Sequence, residues 1–135
     1  MNDCVFCNIV RKVTPAQIVF ESEQYLAFLD KNPRSRGHLQ LIPKVHYTWV
    51  YEIPDIGSFF VTAKQIIHAI IPALGADHVT IATFGHEIAH AHLWIVPQYT
   101  RTGHSVREGQ VSKYSKEKAN LTEMLRMAIS KEVSL

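Results

Sequence analysis

The 135-residue chain carries 14 lysines and arginines against 12 aspartates and glutamates, a formal net charge of +2, and is 47% hydrophobic and 19% charged. That length suits one domain with a real core, the composition is that of an ordinary globular protein, and the charge argues for neither a nucleic-acid nor a membrane partner. The longest apolar run, Ile66 to Leu74, is interrupted by His68 and Pro72 and falls short of the roughly 18 residues of a membrane span.

Met1-Asn2-Asp3 lacks the basic-then-apolar layout of a signal peptide, so a cytoplasmic location is expected. The only cysteines are Cys4 and Cys7. In a reducing compartment, so close a pair suggests metal or redox chemistry rather than a structural disulfide. No repeat, low-complexity tract or linker divides residues 1–135.

In chain order, Val5 to Arg11 predicts a short helix ended before Pro15, with Phe6, Ile9 and Val10 on its apolar side. Gln17 to Ser22 and Tyr25 to Asp30 predict a hairpin, and Lys31 to Gly37 a loop. A strand from Gly37 to Ile42 sets His38, Gln40 and Ile42 on one face and Leu39 and Leu41 on the other, with Pro43 its stop. Apolar residues from Ile56 to Leu74 recur at helical spacing between a cap at Asp55 and a stop at Gly75, with Pro72 a potential early end. Val79 to Phe84 predicts another strand, Tyr99 to Lys113 a loop, and Leu121 to Ile129 a final amphipathic helix for which Ser115 is a candidate cap. Short turns between consecutive strands favour an antiparallel α+β arrangement over a doubly wound sheet.

The remaining stretch, Gly85 to Pro97, organises the chain. From Ile88 to Val96 it predicts a strand stopped by Pro97. Ala89, Ala91, Leu93 and Ile95 then form a wholly apolar face that must be buried, while Ile88, His90, His92, Trp94 and Val96 share the other. His86 joins them if the strand runs back that far. Two or three imidazoles on one strand face point to a site.

Four pieces together carry a resemblance: Cys4-Val5-Phe6-Cys7-Asn8-Ile9-Val10, Leu26-Ala27-Phe28-Leu29-Asp30, Gly37-His38-Leu39-Gln40-Leu41-Ile42-Pro43-Lys44-Val45-His46, and His90-Ala91-His92-Leu93-Trp94. The chain resembles the histidine-triad superfamily, whose branches include nucleoside phosphoramidases and dinucleoside polyphosphate hydrolases. The resemblance implies a single domain with a five-stranded antiparallel sheet, a long helix and a C-terminal helix, dimerised into a ten-stranded sheet. It casts His92 as the nucleophile at the α-phosphorus, its tautomer fixed by the His90 carbonyl, and His38 as a further active-site histidine. Asp30 matches the acid that accepts from the ribose hydroxyls, and Phe6, Ile9, Phe28 and Leu29 match the base walls, which are too apolar to reveal the base. Cys4, Cys7, His46 and His90 match the ligands of the zinc-bearing members, a closed and therefore structural site.

The chain departs from the family at Trp94, which stands where the third histidine is usual, and at His86 and Glu87, where Gln and Ser or Thr are common. Indole cannot carry a proton to a leaving group, which leaves His86 and His38 as candidate acids, His86 the favoured one; that His86 is an exposed loop histidine is the alternative. Glu87 beside a phosphate is repulsive unless it turns away or meets a cation. Three readings follow: a hydrolase acting through a covalent nucleotidyl-histidine, a low-activity nucleotide-binding module, and a hydrolase whose zinc does the chemistry.

Overall fold

The structure, a computed structural model, describes residues 4–100 and 118–133. Its elements are α1 (Val5–Val10), β1 (Ile18–Glu21), β2 (Tyr25–Leu29), β3 (Leu39–Pro43), a 3-10 turn (Val50–Glu52), α2 (Ile56–Leu74), β4 (His78–Ala82), β5 (Leu93–Gln98) and α3 (Lys118–Glu132). The strands form one antiparallel sheet in the order β1-β2-β3-β5-β4, the expected α+β architecture. Most of the Tyr99–Lys113 loop and the Ser115 cap lie outside the described residues.

The two faces of the sheet bury different things. Ala27, Leu29, Leu39, Leu41, Leu93 and Ile95 pack against Phe59, Ala63, Ile66 and Ile70 of α2 and Leu121, Leu125 and Ile129 of α3. On the other face Leu26, Phe28 and Ile42 meet Phe6 and Ile9 of α1. Helix α2 starts where Asp55 accepts from the Ser58 N–H at 3.1 Å, and it ends at Gly75 in the left-handed region (φ 70°). Pro72 does not end it early. Leu74 is buried in the core, and the N–H groups of Gly75 and Ala76 close onto the carbonyls of Pro72 and Ile71, so packing and capping carry the helix past the proline. At 19 residues and a mean hydropathy of 1.3, α2 is long and apolar enough for a membrane span, which counting uninterrupted apolar residues missed. Its buried residues recur at helical spacing and form the core against the sheet.

The organising stretch departs from expectation at both ends. Strand β5 begins at Leu93 rather than Ile88, so His90 and His92 lie in the irregular segment that leads into it, and Ala89 is exposed. Ala91 is nevertheless fully buried, its N–H donating to the Tyr47 carbonyl at 2.6 Å instead of to a sheet neighbour. Pro97 does not stop the strand, which continues to Gln98. The Gln98 carbonyl accepts from the Asp77 N–H on the β4 side, so Pro97 turns its missing donor the other way, where β3 has already ended opposite Ile95. No ladder hydrogen bond is lost there. At the entry to β3, Gly37 takes φ 88° and lies so close to Leu74 that a Cβ would come within 2.6 Å of its Cδ1, which sets the turn that delivers His38.

Candidate functional site

Cys4 caps α1, its Sγ accepting from the Cys7 N–H at 3.4 Å, and one turn of helix brings both thiols to the same end. There they meet two imidazoles from distant parts of the chain. Cys4 Sγ lies 3.3 Å from His90 Nδ1, Cys7 Sγ lies 3.3 Å from His46 Nδ1, and the two Nδ1 atoms are 3.1 Å apart. Metal–ligand bonds of roughly 2.0–2.3 Å would set tetrahedral ligand atoms about 3.3–3.8 Å apart, so the cluster fits a Cys2His2 metal site with little rearrangement. The Nε2–H of His90 donates to the Pro43 carbonyl at 2.9 Å, which leaves its Nδ1 lone pair for a metal. Burial pushes His90 down to about 4, opposed by the Pro43 carbonyl and reinforced by His46 and His92, so the ring is neutral, as a ligand must be. Burial, then the Cys4 thiol, pushes the Cys7 thiol up, a cost that a bound cation would offset.

Two residues on, His92 belongs to a different site. Its Nδ1–H donates to the His90 carbonyl at 2.7 Å, while its own carbonyl accepts from Thr83 Oγ1 at 2.6 Å. The ring is fixed through Nδ1 and the backbone beneath it through its carbonyl. Phe6 meets it edge-on at 5.6 Å, and burial lowers its pKa, opposed by the His90 carbonyl and by Asp30. His92 is therefore neutral near pH 7 with Nε2 as its nucleophilic nitrogen. It lines a cavity of about 290 Å³ together with Asp30, Gln40, Ile88, His86, Glu87 and Trp94, and with Asn32, Arg34 and Phe84.

Asp30, at the end of β2, is fixed by two donors. Oδ1 accepts from the Asn32 N–H at 2.7 Å, and Oδ2 accepts from Gln40 Nε2 at 2.8 Å. A carboxylate keeps further lone pairs, so it can still accept from a ligand's hydroxyls. His38 is fully buried behind it. Its Nδ1 accepts the Arg34 N–H at 3.0 Å, and its Nε2 stands 3.5 Å from Asp30 Oδ2. Burial drives His38 down to about 4, against the pull of Asp30 and with the push of Arg34, so it sits as a neutral prop rather than in the open cavity.

Most of the residues expected from the sequence gather here, with exceptions. Phe6, Ile9 and Phe28 form one buried cluster, Phe6 and Phe28 edge-to-face at 5.4 Å, but the apolar wall of the cavity itself is Ile88, which packs on that cluster. Leu29 is not part of the wall. It follows Phe28 in a strand, so it points into the α2/α3 core. His86 and Glu87 are exposed at the rim, brought there by an irregular loop rather than by strand alternation. Gln40, Arg34, Ile88 and Phe84 were not anticipated. Gln40 left a trace, a polar side chain two residues from His38 on a strand otherwise apolar, and Ile88 left one in sharing the face of His90 and His92; Arg34 and Phe84 left none. A larger groove, about 700 Å³, runs between β1 and α3, but Glu21 is paired with Lys12 and Lys44, Arg126 donates to the Ile18 carbonyl, and its one hydroxyl, that of Ser130, donates to the Met127 carbonyl.

The HIT domain family model matches residues 11–101. Adenylylsulfatase HINT3 of Arabidopsis thaliana is 36% identical over 107 residues, which are 74% of this chain and 54% of that protein. Adenosine 5′-monophosphoramidase HNT1 of Saccharomyces cerevisiae is 30% identical over 100 residues, 70% of this chain and 62% of that protein. The chain thus spans little more than half the length of these two relatives. The crystal structure of a zinc-bound histidine triad family protein from Mycobacterium smegmatis superposes with a TM-score of 0.80 at 28% identity, covering 96% of this chain and 95% of that one.

Proposed function

The chain belongs to the HIT domain family, and from that premise we propose that it is a nucleotide hydrolase working through a covalent nucleotidyl-histidine. The observation that carries the reading is His92, neutral, locked by the His90 carbonyl at 2.7 Å and facing a cavity beside Asp30. Nε2 of His92 attacks the α-phosphorus of a nucleoside phosphoramidate, a dinucleoside polyphosphate or a related donor, and water then releases the nucleotide. Asp30, held by Asn32 and Gln40, accepts from the ribose hydroxyls. The base lies against Ile88 and the Phe6, Ile9 and Phe28 cluster behind it. His38 supports Asp30 from behind, and His86 at the rim supplies a proton to a basic leaving group in place of the family's third histidine, where this chain has Trp94.

Cys4, Cys7, His46 and His90 would hold a structural zinc. With four protein ligands the ion has no open position, and what it supplies when bound is a clamp between α1, the Pro43–His46 turn and the approach to β5. We also propose a cytoplasmic homodimer joined through β4. That strand is one edge of the sheet, with Ile81 47% exposed, whereas the Arg126 guanidinium donates to the Ile18 carbonyl on the other edge strand.

One observation favours a second reading, a nucleotide-binding module with little turnover: Glu87 lines the same cavity and opposes a phosphate. A turnover screen of nucleotidyl donors, with His92→Asn as control and repeated after mild chelation, separates the readings. Turnover that needs His92 and survives chelation supports the hydrolase. Binding without turnover supports the module, and turnover lost on chelation with fold and affinity intact supports zinc chemistry.

A further inference from the structure

Among the described residues, Arg34 is the only lysine or arginine lining the His92 cavity. Its Nη1 donates to the Asn32 carbonyl at 3.0 Å, and its guanidinium carbon lies 5.5 Å from the centre of the Trp94 ring. Trp94 is itself wedged, with His38 at 4.7 Å and Phe84 at 4.9 Å, both edge-to-face. His38 in turn is fully buried and bonded to the Arg34 backbone. The cation is held in place before any ligand arrives.

It stands at a particular end. Phe6 touches the His92 ring from the apolar side, whereas Trp94 lies two residues past His92, about 7 Å at the rise of extended chain. For a nucleotide with its base toward Ile88 and its α-phosphorus at His92, the Trp94 end of the cavity is left to the leaving group, and Arg34 is held over it from the Asp30 side through Asn32. Neither is an acid near pH 7: indole donates one hydrogen bond without releasing its proton, and guanidinium stays charged. What they offer a leaving group is a fixed positive charge, set against the carboxylates of Asp30 and Glu87.

Resting on the nucleotidyl-transfer reading above, we propose that Arg34, stacked on Trp94, is a leaving-group subsite that selects mixed anhydrides, whose leaving group departs as an oxyanion such as phosphate or sulfate, over phosphoramidates. The bond from His92 Nε2 to phosphorus forms as the bridging P–O bond breaks. The electron pair of that bond leaves with the bridging oxygen, whose charge faces Arg34, and no proton is consumed. An amine leaving from the same phosphorus needs one. Water then cleaves the N–P bond, gives its proton to solvent and restores His92.

The test compares adenosine 5′-phosphosulfate with adenosine 5′-phosphoramidate on the full chain, reading kcat/KM and the His92 adduct by acid quench and intact mass. Wild type should favour the phosphosulfate by at least about tenfold. Arg34→Gln should lower the ratio of phosphosulfate to phosphoramidate kcat/KM by about 10²-fold, the scale of one lost charge-stabilising donor. Arg34→Lys, which keeps the charge, should recover part of the loss. The phosphoramidate rate in the same variant shows that it has folded. A wild type that prefers the phosphoramidate overturns the proposal. So does an Arg34→Gln variant that slows both donors alike, as a contact to the shared α-phosphate would, or slows neither. Absence of any His92 adduct with either donor overturns the nucleotidyl-transfer reading itself and the subsite with it.

Discussion

Leu39, Leu41, Leu93 and Ile95 are no more than 2% exposed in the α2/α3 core, while their chain neighbours Gln40, His92 and Trp94 line a cavity on the other side of the sheet. The strand period of two allows one segment to serve both purposes. The closed face is almost wholly apolar, the hydroxyls of Tyr25 and Tyr99 being bonded to Ser58 and to the Arg36 carbonyl. The open face keeps Asp30, His38 and Gln40 almost wholly buried, with His38 Nε2, 3.5 Å from Asp30 Oδ2, and Gln40 Oε1 making no hydrogen bond among the described residues. Each such atom costs about 1–3 kcal/mol, a cost the closed face offsets. The comparison implies that changes on one face should move stability and changes on the other should move chemistry, and each prediction below can break that division.

The largest effect is expected where the open face departs from that division, at the Cys4, Cys7, His46 and His90 cluster beside α1. Cys4→Ser should lose the bound metal and sharply lower the melting temperature, since apparent binding energies at structural zinc sites are about 10–16 kcal/mol. Turnover per folded molecule should change far less. A variant that is fully metallated and equally heat-stable would sink the site.

On the open face, His86→Ala should slow a phosphoramidate by about 10²–10⁴-fold and barely touch an anhydride, because only the amine needs a general acid. Trp94→His should relieve the deficit. Equal slowing of both donors, or of neither, would remove His86 from the role.

On the closed face, Leu41→Ala should cost about 2–5 kcal/mol in denaturant unfolding and leave nucleotide affinity unchanged. A comparable loss of affinity would mean the two faces are coupled.

The smallest effect is a pH slope. Burial holds His38 at about 4 against an ordinary 6.5. Above about 6.5 neither the folded nor the unfolded chain protonates it. Between about 6.5 and about 4 only the unfolded chain does, so stability falls across that window as the pH drops and levels off below it. His38→Gln should make the fall shallower; an unchanged slope would mean His38 is not buried neutral.

The closed face was legible because periodicity reports burial: the spacing of Phe59, Ala63, Ile66 and Ile70 marks α2 in the sequence alone. The ligand cluster, His92 and Asp30 were legible only as motif, since nothing in periodicity places Cys4 beside His90. Arg34 and Phe84 were illegible for a plainer reason. They reach the cavity from irregular segments, where no period relates neighbours, and a loop arginine looks the same in sequence whether it faces solvent or a tryptophan. The start of β5 was misplaced for a related reason. Ala91 satisfies its N–H on Tyr47 rather than on a strand, so apolar alternation continued past the point where the sheet stopped.

The central claim is that His92 becomes covalently nucleotidylated, and intact mass spectrometry after acid quench with an adenylyl donor tests it most directly. Wild type should gain one adenylyl group, while His92→Asn should gain none yet still bind nucleotide, because Asp30 and the apolar wall are untouched. An adduct that persists in His92→Asn, or none in a wild type that turns the donor over, would contradict the account.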